Sequence, residues 1–100
     1  MIGSAIQKGN YIEIYDSNGN HQVSVSSPNG CLFGYSSELI GIQEDNYITI
    51  YDQNGNRVSN FPVGSGKGEA VVGNIINVKA GNYLTTYDKN GNRLNEQFVS

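Results

Sequence analysis

Apolar and polar residues alternate with a period of two in three separate stretches of this chain. Ile12 and Ile14 fall on one side of an extended segment, Tyr11, Glu13 and Tyr15 on the other. Ile48 and Ile50 stand opposite Tyr47, Thr49 and Tyr51 in the second stretch; Leu84 and Thr86 stand opposite Tyr83, Thr85 and Tyr87 in the third. The pattern predicts strands with an aliphatic face turned to a core, each fully buried side chain contributing about 1.5–3 kcal/mol. No long window carries an apolar stripe at helical spacing, so helices are not expected. Asp16-Ser17-Asn18-Gly19, Asp52-Gln53-Asn54-Gly55 and Asp88-Lys89-Asn90-Gly91 follow the three stretches. Asp first and Gly fourth suits a type I turn with a bulge at the glycine; a two-residue type I′ turn on Asn-Gly is the competing register. A further strand is expected after each turn, over His21–Ser26, Arg57–Phe61 and Arg93–Phe98. A preceding strand ends at the tighter turns Lys8-Gly9-Asn10, Glu44-Asp45-Asn46 and Ala80-Gly81-Asn82. A fourth strand is expected in Cys31–Ser36 and in Glu69–Val72.

The three stretches are copies of one unit. Asn10–Asn20 returns as Asn46–Asn56 and again as Asn82–Asn92, 36 residues apart each time, with seven positions identical in all three. The units are residues 1–36, 37–72 and 73–100 of a single domain spanning 1–100, and the last unit is shortened. It lacks the fourth strand, so an open edge or unfilled strand slot is expected. Either Met1–Ser4 fills it, or a second subunit lends a strand; a homo-oligomer is the preferred reading, because so small a core gains from a partner. Three four-stranded units predict an all-β fold with pseudo-threefold symmetry. A β-prism is the first choice, a β-trefoil the second, and a propeller completed by a second chain the third.

Composition then removes function classes. A net charge of −3 with six Lys and Arg lacks the basic stripe of a nucleic-acid binder. No apolar run approaches the roughly 20 residues of a membrane span, and Met1-Ile2-Gly3-Ser4 does not open like a signal peptide. Cys31, the single cysteine, allows no internal disulfide. No cofactor is implied. Asp16-x-Asn18-x-Asn20 matches the opening of a calcium loop, but the glycine comes fourth and Ser27 stands where a bidentate Glu is needed, so no metal site is expected. His21 is the only histidine, and no spacing pairs two carboxylates, so the reading is that of a protein without catalytic activity.

Ile42-Gln43-Glu44-Asp45-Asn46-Tyr47-Ile48-Thr49-Ile50-Tyr51-Asp52 resembles the mannose-binding motif Gln-x-Asp-x-Asn-x-Val-x-Tyr of the monocot bulb-type lectins, which have the β-prism II fold. The lectins' Gln, Asp and Tyr fall on Gln43, Asp45 and Tyr51; their Asn falls on Tyr47 and their Val on Thr49. The first copy keeps Gln7 and Tyr15 but has Gly9 for the Asp. The third keeps Tyr87, with Lys79 and Gly81 in the polar places. Val58 stands where those lectins carry a core Trp. A weaker resemblance, through Tyr-Asp-x-Asn-Gly-Asn-Arg at Tyr51–Arg57 and Tyr87–Arg93, is to the YD repeats of bacterial surface and toxin shells. The lectin resemblance implies a saccharide ligand at Gln43, Asp45, Tyr47 and Tyr51, and at Gln7 and Tyr15. Amides and carboxylates would take sugar hydroxyls, and aromatic rings a sugar face. The alternative is an assembly domain that pairs through its empty strand slot and binds no small molecule.

Overall fold

A computed structural model describes residues 1–99 of the chain; these form eleven strands and no helix. The strands are β1 (Ile2–Lys8), β2 (Tyr11–Asp16), β3 (His21–Ser26), β4 (Cys31–Tyr35), β5 (Leu39–Glu44), β6 (Tyr47–Asp52), β7 (Arg57–Pro62), β8 (Lys67–Val72), β9 (Ile75–Ala80), β10 (Tyr83–Asp88) and β11 (Arg93–Phe98). All pairing is antiparallel between neighbours in sequence, giving sheets β1-β2-β3, β4-β5-β6-β7 and β8-β9-β10-β11. The all-β, three-repeat fold follows from the period-two pattern.

The loops obey the turn chemistry. Gly19, Gly55 and Gly91 have φ of 84°, 83° and 87°, and the amide of each donates to the carbonyl of the Asp three residues earlier at 3.0–3.1 Å. The ladder shifts by one residue beside each turn, between Ile14 and Tyr15, Ile50 and Tyr51, and Thr86 and Tyr87. This is the type I turn with its glycine bulge, and the I′ register is not used. Each turn Asp accepts two further amide bonds on Oδ1, from Asn18 and Asn20 at Asp16 and from Asn90 and Asn92 at Asp88. The Asn20 amide holds the Asp16 carboxyl below its usual range, and the Asn92 amide does the same at Asp88. A carboxyl with a lowered folded pKa stabilises the fold above the ordinary carboxylate range and loses that contribution as pH falls through the folded value. Acidification should therefore lower the urea midpoint of the native chain more than that of an Asp16→Asn, Asp88→Asn variant. An offset between the two that is constant from neutral to acid pH would refute the assignment.

The sheets do not coincide with the sequence units. The fourth strand of each unit opens the next sheet, so β4 joins β5–β7 and β8 joins β9–β11. The missing strand therefore falls in the first sheet, not the third. Ile2–Ser4 does not fill it, because these residues are the start of β1 itself and pair with β2. The sheets also differ from the pseudo-threefold body expected. They stack face to face in a row, within extents of 40 × 24 × 22 Å. One apolar core lies between the first and second sheets (Ile2, Ala5, Ile12, Ile14, Val25, Ile40, Ile42), the other between the second and third (Leu39, Ile48, Ile50, Phe61, Val71, Ile76, Val78).

The outward faces of the first and third sheets carry more polar residues than the faces between sheets. On the outer face of the third sheet, Thr86 and Gln97 take the places of Ile50 and Phe61. On the outer face of the first sheet, Ser4 takes the place of Ile40, and Glu13 receives Ser24 Oγ and His21 Nε2, each at 2.7 Å. The Ser24 hydroxyl and then the His21 ring hold the Glu13 carboxyl low.

Candidate functional site

The residues read as a saccharide site do not converge. Gln43 pairs across the ladder with Ile48, so its side chain leaves the sheet on the face of Ile48 and Ile50, toward the third sheet. Tyr47 and Tyr51 leave on the opposite face. Tyr51 packs against the core between the first two sheets, and Tyr47 is 47% exposed. The same alternation separates Gln7 from Tyr15 in the first sheet, where Tyr15 meets the His21 ring edge-on at 5.6 Å.

Both glutamines are bonded to backbone across a sheet boundary. Gln7 Nε2 donates to the Gly30 carbonyl at 2.8 Å, and its Oε1 accepts the Leu32 amide at 3.1 Å. Gln43 repeats this one unit later: Nε2 donates to Gly66 O at 2.9 Å and Asp45 O at 3.2 Å, and Oε1 accepts the Gly68 amide at 2.7 Å. Each amide thus serves as a piece of peptide backbone, fastening the opening of the next sheet to the strand before it. The third copy has Lys79 at this position. The column Gln7, Gln43, Lys79 was visible in the sequence, but only the stacking shows which carbonyls and amides it reaches.

The structure does bring Gln43 and Asp45 together, in a cleft of about 450 Å³ between β4, β5 and the start of β8. Asn29, Phe33 and Lys67 line it with Cys31 and Gly68, and sequence reasoning assigned none of them to a binding site. A signal was present: Asp45 and Lys67 stand where the first copy has Gly9 and Cys31. Among the described residues neither charge has an ion-pair partner, since the only such pair joins His21 and Glu13. Asp45 has a φ of 53°, whereas Gly9 and Gly81 have 59° and 60° in the equivalent turns. This left-handed conformation costs an L-residue energy that glycine does not incur. Asp45→Gly should therefore stabilise the chain by about 0.5–1 kcal/mol, measured by urea denaturation; a loss of stability would show that the carboxylate holds the turn.

The second feature is the outer edge of β1. Its counterparts β5 and β9 each lie between two strands, β4 and β6 or β8 and β10. Among the described residues no strand pairs with β1 on the side away from β2. Lys8 and Tyr11 close a two-residue hairpin and so form a hydrogen-bonded pair. Alternation from there aims the backbone groups of Ser4, Ile6 and Lys8 at β2 and those of Ala5 and Gln7 outward. The counterparts of Ala5 and Gln7, Gly41 and Gln43, pair with Gly34 and Cys31 of β4. A site one strand wide is thus laid out beside β1 and against β4.

No family model and no curated protein matches the sequence. Among solved structures, the chain resembles BamB from Moraxella catarrhalis, a propeller, with a TM-score of 0.62 at 10% identity. The match covers 98% of this chain and 34% of that one, so the chain spans about a third of the length of BamB. At this identity the likeness is one of fold alone. The class defined by fold and site is a row of three propeller-type sheets with one strand position open.

Proposed function

We propose that this chain is a non-enzymatic assembly module that pairs an extended segment beside β1. The observation that carries the reading is the outward-facing backbone of Ala5 and Gln7, whose counterparts in the second sheet are paired. Strand addition of this kind draws affinity from main-chain hydrogen bonds and selectivity from alternate side chains. A homo-oligomer in which a second copy lends such a segment is one form of it. The test has two parts. In dilute, monomeric chain the amides of Ala5 and Gln7 should exchange with solvent faster than those of Gly41 and Gln43. A displayed library of short extended peptides, selected against the full chain, should then yield binders that slow exchange at Ala5 and Gln7. Protection of both amides in the monomer, or no binder that protects them, would end the proposal.

A carbohydrate-binding reading survives in altered form, favoured by the unpaired Asp45 and Lys67 beside Phe33 and Asn29 in one cleft. It predicts a rise in melting temperature with mannose, galactose or their oligomers that Asp45→Asn abolishes. Gln43, being occupied, would act only by holding the wall of the cleft. Unchanged melting across a glycan panel would remove this reading.

A further inference from the structure

The cleft at Asp45 is built on a frame that the repeat uses twice and charges once. The Gln43 amide reaches the Asp45 carbonyl at 3.2 Å, the Gly66 carbonyl at 2.9 Å and the Gly68 amide at 2.7 Å. One side chain therefore holds the backbone of Asp45 and of both neighbours of Lys67. One unit earlier Gln7 holds the Gly30 carbonyl and the Leu32 amide in the same way, on either side of Cys31. There the places of Asp45 and Lys67 belong to Gly9 and Cys31, so the frame carries no charge. In the second unit it carries two. Asp45 keeps its carboxylate at a φ of 53°, where glycine serves both other copies. Strained backbone of this kind clusters at ligand clamps and active sites.

Few groups in the cleft are left for recognition. Gln43 is committed to backbone, and the Phe33 ring packs against the core between the second and third sheets. A Cβ at Gly68 would lie 2.6 Å from the ring's Cγ, and one at Gly41 2.5 Å from its Cζ. The ring fits because neither residue has a side chain, and it serves as a wall of the cleft, not as a free stacking platform. The Asp45 carboxylate, the Lys67 ammonium and the Asn29 amide remain, around about 450 Å³. Asp45 and Lys67 do not neutralise each other, since the only ion pair among the described residues joins His21 and Glu13. A singly charged ligand satisfies one of them and sets a like charge near the other. A neutral ligand offers each a hydrogen bond but no counter-charge. Taking the cleft as a small-molecule site, as the carbohydrate reading does, we infer that its ligand is a zwitterion whose ammonium meets Asp45 and whose carboxylate meets Lys67. A sugar of this class is an amino sugar bearing a carboxyl group; a free amino acid presents the same two groups.

The experiment titrates the full, isotope-labelled chain with sugars built on one ring: glucose, glucosamine, glucuronic acid and muramic acid, the last carrying both an amine and a carboxyl. β-Alanine supplies the amino-acid arm. Affinity is read from the amide shifts of Cys31, Lys67 and Gly68. Muramic acid should bind about threefold to fivefold tighter than either singly charged sugar, the factor that one exposed ion pair supplies. In the Lys67→Gln chain it should bind no better than glucosamine, and in the Asp45→Asn chain no better than glucuronic acid. Both side chains are exposed and Asn tolerates a positive φ, so each variant should keep the native amide spectrum away from the cleft. Equal affinity across the sugars, or muramic acid binding that neither variant weakens, would overturn the inference while leaving the carbohydrate reading intact. Cleft shifts with β-alanine alone would uphold the zwitterion and remove sugars as its source. If none of these probes moves the cleft amides, the inference fails, and the carbohydrate reading stands or falls on mannose and galactose.

Discussion

Ile48→Ala should lower the free energy of unfolding by about 2–5 kcal/mol, while Leu84→Ala, the same position one unit later, should cost about 1 kcal/mol or less. Ile48 has no exposed surface and belongs to the core between the second and third sheets. Leu84 lies on the outer face of the third sheet, only partly covered. Truncating Ile48 leaves a cavity walled by neighbours that cannot collapse into it, whereas truncating Leu84 exposes little that water does not already reach. Urea denaturation of the two variants measures the difference. Equal costs would mean that the outer face of the third sheet is covered in solution.

Gln43→Ala should cost about 1–3 kcal/mol, because it leaves the Gly68 amide and the Gly66 carbonyl without their partner at a partly buried boundary. The effect should be local as well as global. Amide exchange at Gly68 should accelerate by more than at positions within β9 and β10, since the clamp holds the opening of β8 and not the ladder beyond it. Gln43→Lys, which copies the third unit, should cost at least as much, because the ammonium has no acceptor to offer the Gly68 amide. Gln7→Ala should cost less, as Gln7 makes two such bonds to Gln43's three. A Gln43→Ala variant with native stability and native Gly68 exchange would show that the sheets are held by apolar packing alone.

Much of the fold was legible in the chain because its causes are local. The period-two placement of Ile12 and Ile14, and of Ile48 and Ile50, identifies strand and face together. Asp16 and Gly19 specify the turn, its bulge and the one-residue shift in the ladder. The recurrence at 36 residues makes the same local structure appear three times. The candidate site was less legible. Gln43, Asp45 and Tyr51 are close in sequence, but the pleat sends Tyr51 to the opposite face. Phe33 and Lys67 come to Asp45 from separate strands, which no local spacing announces.

By itself, then, the sequence determined the strands, the hairpins within each copy and the number of copies, since each depends on side-chain alternation or on backbone preferences within a few residues. Only the tertiary structure decided between the two turn registers, that sheets begin one strand before each sequence unit, that they stack in a row, and that among the described residues β1 pairs on one side only. These depend on which face meets which across the stack, where a single amide from one unit reaches the backbone of the next and a missing Cβ makes room for a ring.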